Sequence, residues 1–420
     1  MITRIRIQNF GSLVDVDVPL GPLILLVGPN ASGKTMFIRA LRALTKLMRA
    51  ALRGPKGEFN IDHATLGELV SFGDLSREVR FSVWLEDPQG DPAYELALAT
   101  RDDLWHVAEE RLRFAGLVYD SREGPVEFAT ERRGTIRWET PGQPPRAGTL
   151  PYLAYAFRRD RHALGTIQPL LDFQRQLGLS RAFRIGTPTL ISPRLPEWIS
   201  PDRPYVDETG AGFIHTLARF ALTSLGREVL EERITPWLRA LFPHVKSLGF
   251  RGGPSALYLE YTTDRYQRAL PAQLESDGVN LALFFSSLPY LLGGLEGEGG
   301  PVPVCVGLEE PEAGTHPFFQ RGRLELLRQL VKTSPAHAPL QIVATTHSID
   351  LLRWVEKEEA LSILRFVEHL GPGEGTRIHR LANEEDLVRV YEQYDRNLGL
   401  AWYSGALGAV PPRPEPDEGS

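Results

Sequence analysis

Leu23-Ile24-Leu25-Leu26-Val27 runs straight into Gly28-Pro29-Asn30-Ala31-Ser32-Gly33-Lys34-Thr35, and a helical pattern follows to about Leu52, where Gly54-Pro55 ends it. Five apolar residues closed by a glycine predict a strand buried on both faces of a mostly parallel sheet. The next eight satisfy G-x-x-x-x-G-K-[ST], the Walker A pattern, in the setting that pattern needs: a strand before it and a helix after it. Glycines at 28 and 33 let successive backbone N–H groups curl around a polyphosphate, and the helix adds its positive N-terminal end. Lys34 is expected to bring a point charge to the β- and γ-phosphates of ATP, and Thr35 a hydroxyl to Mg²⁺. Asn30, Ser32 and Gly33 complete the expected nucleotide contacts on this loop.

Upstream, Ile2, Ile5 and Ile7, then Val14, Val16 and Val18 between aspartates, predict two half-buried strands joined at Asn9-Phe10-Gly11-Ser12. Downstream, Val79, Phe81, Val83 and Leu85 alternate, and Tyr94 to Ala99 is a short apolar segment, so residues 77 to 114 read as strands. Between 115 and 240, turn-rich stretches alternate with helical patterns at 152–164, 168–177, 211–225 and 226–241, with no internal repeat and no sustained heptads. Strand-like alternation returns at 245 to 270 with Leu257, Leu259 and Tyr261. The organisation expected is an α/β P-loop core in two parts, 1–114 and 241–410. A mostly helical insertion, 115–240, separates them, and 411–420, rich in Pro, Glu, Asp and Gly, is expected to be a disordered tail.

A second apolar strand, Val302 to Leu308, ends in Glu309-Glu310-Pro311-Glu312. Acids at the carboxyl end of a buried parallel strand lie where open α/β sheets bind ligands. One can hold Mg²⁺ and the next can polarise an attacking water; taken alone, the run also reads as an exposed acidic turn. Gln341 to Thr346 predicts a further strand running into His347-Ser348. Leu274-Glu275-Ser276-Asp277-Gly278 opens the helical run Val279 to Leu292. A serine hydroxyl and a glycine N–H at a helix start make a ready anion site, or simply an N-cap and turn.

This ordered set resembles the ABC-type ATPases of the RecF, SMC/Rad50 and OLD (overcoming lysogenization defect) group. The resemblance rests on Asn9-Phe10-Gly11-Ser12 before a Gly-Pro-Asn-Ala-Ser-Gly-Lys-Thr loop, and on Glu-Glu-Pro-Glu followed by Thr315-His316-Pro317. It implies an ABC-type fold with a mixed central sheet, flanking helices and N-terminal antiparallel strands. It makes Glu309 the Mg²⁺-side acid, Glu310 the catalytic glutamate and His347 the switch histidine at the γ-phosphate. Ser276 and Gly278 become the degenerate signature that completes the ATP pocket of an opposite protomer. Glu309 departs from the aspartate of the wider ABC pattern, though not from this branch. The Q-loop glutamine has no counterpart, since no Gln occurs between Gln8 and Gln89; Ser71-Phe72-Gly73-Asp74 stands in that region. Leu398 to Pro411 resembles the end of stand-alone predicted ATPases of the group, with no chemistry attached.

Composition narrows the function further. With 42% hydrophobic and 24% charged residues the chain can build a core, and a net charge of −6 gives no global attraction to nucleic acid. Any contact with double-stranded DNA must come from local runs such as Arg132-Arg133 or Arg158-Arg159-Asp160-Arg161. The single cysteine, Cys305, sits in an apolar run and reads as a small buried hydrophobe. With no signal-peptide pattern and no apolar run of membrane length, a cytoplasmic chain with no membrane contact is expected. About 70 residues follow His347, too few for the Toprim domain of OLD-type nucleases. The expectation is therefore an ATP-sandwich homodimer acting as a switch or sensor in DNA repair or anti-phage defence, signalling to a separate nuclease effector. An ATP-binding scaffold with little turnover and a transporter ATPase subunit are the alternatives.

Overall fold

The computed structural model describes residues 1–53, 70–85, 89–101, 104–114, 117–120, 127–130, 135–137, 181–183, 187–197, 199, 205–207, 209–253, 256–294, 303–313, 317–334, 339–371, 373–381 and 384–409. The chain divides into two compact units, one made of residues 179–342 with Met1, the other of 2–178 and 343–420.

In the second unit, β1 (Arg4–Phe10) and β2 (Leu13–Pro19) form the expected hairpin. Asn9 and Gly11 take positive φ, 58° each, at the turn. Next to β1 lies β4 (Val79–Trp84), followed by β5 (Tyr94–Arg101), β6 (Leu104–Phe114), β7 (Leu117–Asp120), β8 (Glu127–Thr130) and β9 (Thr135–Arg137). The sheet order is β2-β1-β4-β5-β6-β7-β8-β9, antiparallel throughout. Ile5 stands opposite Val18 and Val83, and Ile7 opposite Val16 and Phe81, all buried. The intervening Arg4 and Arg6 reach diagonally across the pair to Asp17 and Asp15 of β2, so the two-residue period puts apolar side chains on one face and ion pairs on the other.

This sheet corrects the boundary expected at 114. The antiparallel ladder continues through β7, β8 and β9 to Arg137, so the stretch assigned to the insertion opens with strands of the same sheet. Each of these strands is only three or four residues long, too short to show an alternation that sequence reading could catch. The helices expected at 152–164 and 168–177, and the tail 411–420, lie outside the described residues.

The same unit holds β3 (Leu23–Val27), buried at every position as expected. It pairs in parallel with β16 (Leu364–His369), which pairs antiparallel with β17 (Thr376–His379). On the other side of β3 runs β15 (Leu340–Thr346), the strand through which the chain passes from one unit to the other. The helix Lys34–Arg53 buries Phe37, Ile38, Leu41 and Leu44, a single stripe at helical spacing.

In the first unit, β10 (Arg181–Phe183) pairs in parallel with β14 (Val304–Glu309). β11 (Val245–Gly253), β12 (Ala256–Thr263) and β13 (Leu270–Pro271) form a separate antiparallel sheet. The apolar helix Asp277–Gly294 is the core of this unit. Phe284 meets Phe213 and Phe183 edge-on at centroid distances of 5.2 and 5.4 Å. The helical pattern expected to 241 is broken into Phe213–Ala221, Ser224–Val229, a π turn at Leu230–Ile234, and Thr235–Leu241. The Thr223 hydroxyl caps the second piece by accepting the Gly226 N–H, and Pro236, which has no N–H to give, stands in the first turn of the last. Cys305 is 6% exposed, and burial pushes its thiol up to about 12, so it packs rather than reacts. Among the described residues no helix is long and apolar enough to cross a membrane.

Candidate functional site

The phosphate loop leaves β3 at Gly28, which is buried and has no room for a side chain, since a β-carbon there would stand 2.3 Å from the Val367 carbonyl oxygen of β16. Its N–H is donated to the Thr346 carbonyl at the end of β15, 3.4 Å away. Ala31 and Gly33 then take left-handed φ, 62° and 110°. That alternation curls consecutive N–H groups into an anion-binding nest. A β-carbon on Gly33 would be 2.2 Å from the Thr376 hydroxyl of β17, so the loop lies directly on that strand. The Thr376 hydroxyl in turn stands 3.1 Å from the Ser32 carbonyl oxygen and 2.8 Å from the Ser12 hydroxyl.

Lys34 begins the following helix and is only 5% exposed. Its ammonium donates to the carbonyls of Gly28 and Pro29 at 2.6 and 2.7 Å, which folds the side chain back over the loop. The first turn of this helix contains no acid, so the positive end of the helix is not offset from within. Ser32 is buried, and its hydroxyl meets no hydrogen-bond partner in the protein. A buried cation, an orphaned hydroxyl and a nest at an uncompensated helix start fit a polyphosphate. Asn30 is exposed at the crest of the loop and Thr35 is half-buried at the helix start. In the same unit, β15 delivers His347 just past Thr346, where it is exposed. The loop and His347 are thus linked through the Gly28–Thr346 contact.

In the first unit, β14 is buried up to Leu308 and surfaces at Glu309 and Glu310, both half-buried. Glu310 takes φ 45°, a left-handed conformation that a glutamate adopts only when its surroundings impose it. The Glu310 carbonyl accepts the Ala313 N–H at 2.8 Å, which closes the turn. Glu312 goes inward and is 5% exposed.

Ser276 and Gly278 lie at the start of the helix Asp277–Gly294, Ser276 exposed and Gly278 half-buried. The Ser276 N–H is donated to the Glu275 carboxylate at 2.8 Å, and that carboxylate lies 3.4 Å from the His244 ring. Asn280, one turn into the helix, accepts from the buried Tyr261 hydroxyl and donates to the Ala272 carbonyl, both at 2.9 Å. The loop before the helix is therefore held from behind, with its serine outward.

One residue that sequence reading passed over joins these parts. Arg323, on the helix Pro317–Thr333, is 3% exposed and donates to the Gly278 carbonyl at 2.9 Å. It lies 5.4 Å from the Phe285 ring centroid, and burial pulls its guanidinium down to about 10 against the opposing pull of Glu312. Glu312 belongs to the quoted acid run, but Arg323 follows at a spacing that carries no recognisable pattern. Thr376, behind the phosphate loop, is equally silent in sequence.

Comparison with known proteins gives three findings. A family model described as "AAA domain, putative AbiEii toxin, Type IV TA system" matches residues 23–353. An OLD nuclease of Thermus scotoductus (strain ATCC 700910 / SA-01) is 32% identical over 143 residues, which are 33% of this chain. The match spans 25% of that relative's own length. The SMC head domain from Thermotoga maritima superposes with a TM-score of 0.38 at 13% identity, covering 91% of this chain and 99% of that one.

Proposed function

The chain belongs to this AAA-domain family, and from that premise we propose that it is a Mg²⁺-dependent ATPase of the SMC/Rad50/OLD-like group, working as a dimeric switch. The observation that carries the reading is Lys34, a buried ammonium folded over a nest of backbone N–H groups at a helix start with no acid of its own. Held there by the loop's own carbonyls, the ammonium lies where the Walker A pattern brings a lysine to the β- and γ-phosphates.

In this reading Gly33, Ser32 and Asn30 cradle the β- and γ-phosphates, and Lys34 turns from the loop carbonyls to the phosphate oxygens. By the family resemblance, Thr35 and Glu309 would hold Mg²⁺, which when bound would neutralise charge on the phosphates. Glu310 orients and polarises the attacking water, and His347 holds the γ-phosphate from the end of β15. Ser276 and Gly278 of a second copy close each pocket, so two ATP molecules join two chains and hydrolysis releases them. The switch serves DNA repair or anti-phage defence in the cytoplasm, with double-stranded DNA as a candidate trigger and a separate nuclease as effector.

The test is steady-state hydrolysis and ATP-dependent association by the purified chain. Lys34→Ala is expected to abolish nucleotide binding, whereas Glu310→Gln is expected to bind ATP, lose turnover by about two orders of magnitude or more, and accumulate as a dimer. Turnover at the wild-type rate in Glu310→Gln removes the catalytic assignment. ATP-stable dimers of wild type with negligible turnover favour the scaffold alternative.

A further inference from the structure

The segment Leu398 to Pro411 is left without a task by the ATPase cycle, yet the structure gives its described part, residues 398–409, a definite place. Its helix, Leu398–Tyr403, starts with the Asn397 side chain accepting the Leu400 N–H at 3.1 Å. Leu398, Ala401 and Trp402 turn inward and are buried, while Leu400 and Tyr403 are exposed. The buried side packs on the short helix Ile349–Leu352. The approach is at backbone level: a β-carbon on Gly399 would stand 2.0 Å from the Ile349 carbonyl oxygen and 3.0 Å from its Cγ2. Only glycine allows two helices to lie so close.

Ile349–Leu352 begins two residues after His347. Four residues cannot hold a helical turn by themselves, so its placement comes from what packs on it. Ser348 caps it, accepting the Leu351 N–H at 3.1 Å, and donates its own N–H to the Thr346 hydroxyl at 3.0 Å. The Thr346 carbonyl then meets the Gly28 N–H of the phosphate loop. A continuous line of contacts within one unit therefore runs from the C-terminal helix, past His347, to the start of Walker A.

We propose that the helix Leu398–Tyr403 is the positioning element of His347, with Gly399 setting how deeply it docks. The proposal rests on the ATPase reading of the site. Gly399 acts through Ile349 on the turn that aims the histidine.

The experiment compares wild type, Gly399→Ala, His347→Ala and the double variant in the full chain, with Leu400→Ala on the exposed side of the same helix as control. Amide exchange is followed over the peptide containing Ile349–Leu352, alongside ATP affinity and turnover. In Gly399→Ala, exchange in that peptide should rise at least about tenfold and kcat should fall at least about tenfold, since a small misplacement of a reacting group costs that much. ATP affinity should stay within about twofold, because the phosphate loop keeps its own supports on β16 and β17. Leu400→Ala should match wild type, and adding Gly399→Ala to His347→Ala should change turnover less than about twofold. Unchanged exchange in Gly399→Ala overturns the proposal, as does an equal loss of turnover in both backgrounds, which marks general damage. Should Gly399→Ala not fold, Leu398→Ala thins the same contact and is read in the same way. Absence of Lys34-dependent turnover in wild type defeats the ATPase reading alone, while the exchange arm still decides whether this helix holds the turn after His347.

Discussion

Arg323 carries a full charge at 3% exposure, with the Gly278 carbonyl as hydrogen-bond acceptor, the Phe285 ring beside it and Glu312 as the opposing charge. An arrangement of this kind is poor value as a source of stability, because desolvating two ions roughly cancels their attraction. Removing one member is another matter. Arg323→Met removes the donor to the Gly278 carbonyl and the positive charge that opposes buried Glu312, and is expected to cost about 1–3 kcal/mol, read as a lower urea midpoint at unchanged slope. Arg323→Met combined with Glu312→Gln is expected to recover much of that loss, since neither charge then remains. A double variant no more stable than the single would show that Glu312 does not depend on Arg323. The pair also ties the acid run after β14 to the loop that carries Ser276, a relation between two motifs that sequence order alone does not contain.

Among the elements, the β16–β17 hairpin does for the phosphate loop what its own residues cannot. Val367 limits the loop at Gly28 and Thr376 limits it at Gly33, so the nest is shaped from outside. Thr376→Val keeps the shape but loses the hydroxyl contacts to Ser32 and Ser12, at about 1 kcal/mol each. ATP affinity measured with a fluorescent analogue is expected to fall severalfold, while Thr376→Ser should stay near wild type. Equal affinity in Thr376→Val would mean that the loop holds its form unaided. This hairpin also marks where legibility ended. β3, β14 and β15 were readable because burial on both faces demands unbroken apolar runs, and the loop was readable because phosphate binding demands glycines and a lysine at fixed spacing. What lies behind the loop is a threonine among many, selected by a contact with residues more than 340 positions away. β7 to β9 escaped because three or four residues carry too little periodicity, and the Leu398–Tyr403 helix could be likened to a family's end but not assigned a purpose.

At the scale of the whole molecule, electrostatics constrains how DNA could act as a trigger. The net charge of −6 opposes a polyanion, and five arginines of the eight-stranded sheet are already engaged. Arg4 pairs with Asp17, Arg6 with Asp15, Arg80 with Glu78 and Glu109, Arg111 with Glu95 and Glu109, and Arg113 with Asp91. A phosphate would have to displace a carboxylate at each, so this face offers little release of counterions. The run Arg158-Arg159-Asp160-Arg161 places three cations against one acid in four residues and is the better source of a local field. Fluorescence anisotropy of a short duplex between about 50 and 200 mM salt separates the two sets of arginines, since log affinity falls with log salt in proportion to the phosphates neutralised. Changing Arg158, Arg159 and Arg161 together to Gln is expected to weaken binding regardless of sequence and to reduce the slope by about three. Arg4→Gln with Arg6→Gln is expected to leave the slope unchanged. A slope that responds to Arg4 and Arg6 instead would place the nucleic acid on the sheet, and no binding at the lowest salt would take double-stranded DNA out of the switch and leave the trigger to a protein.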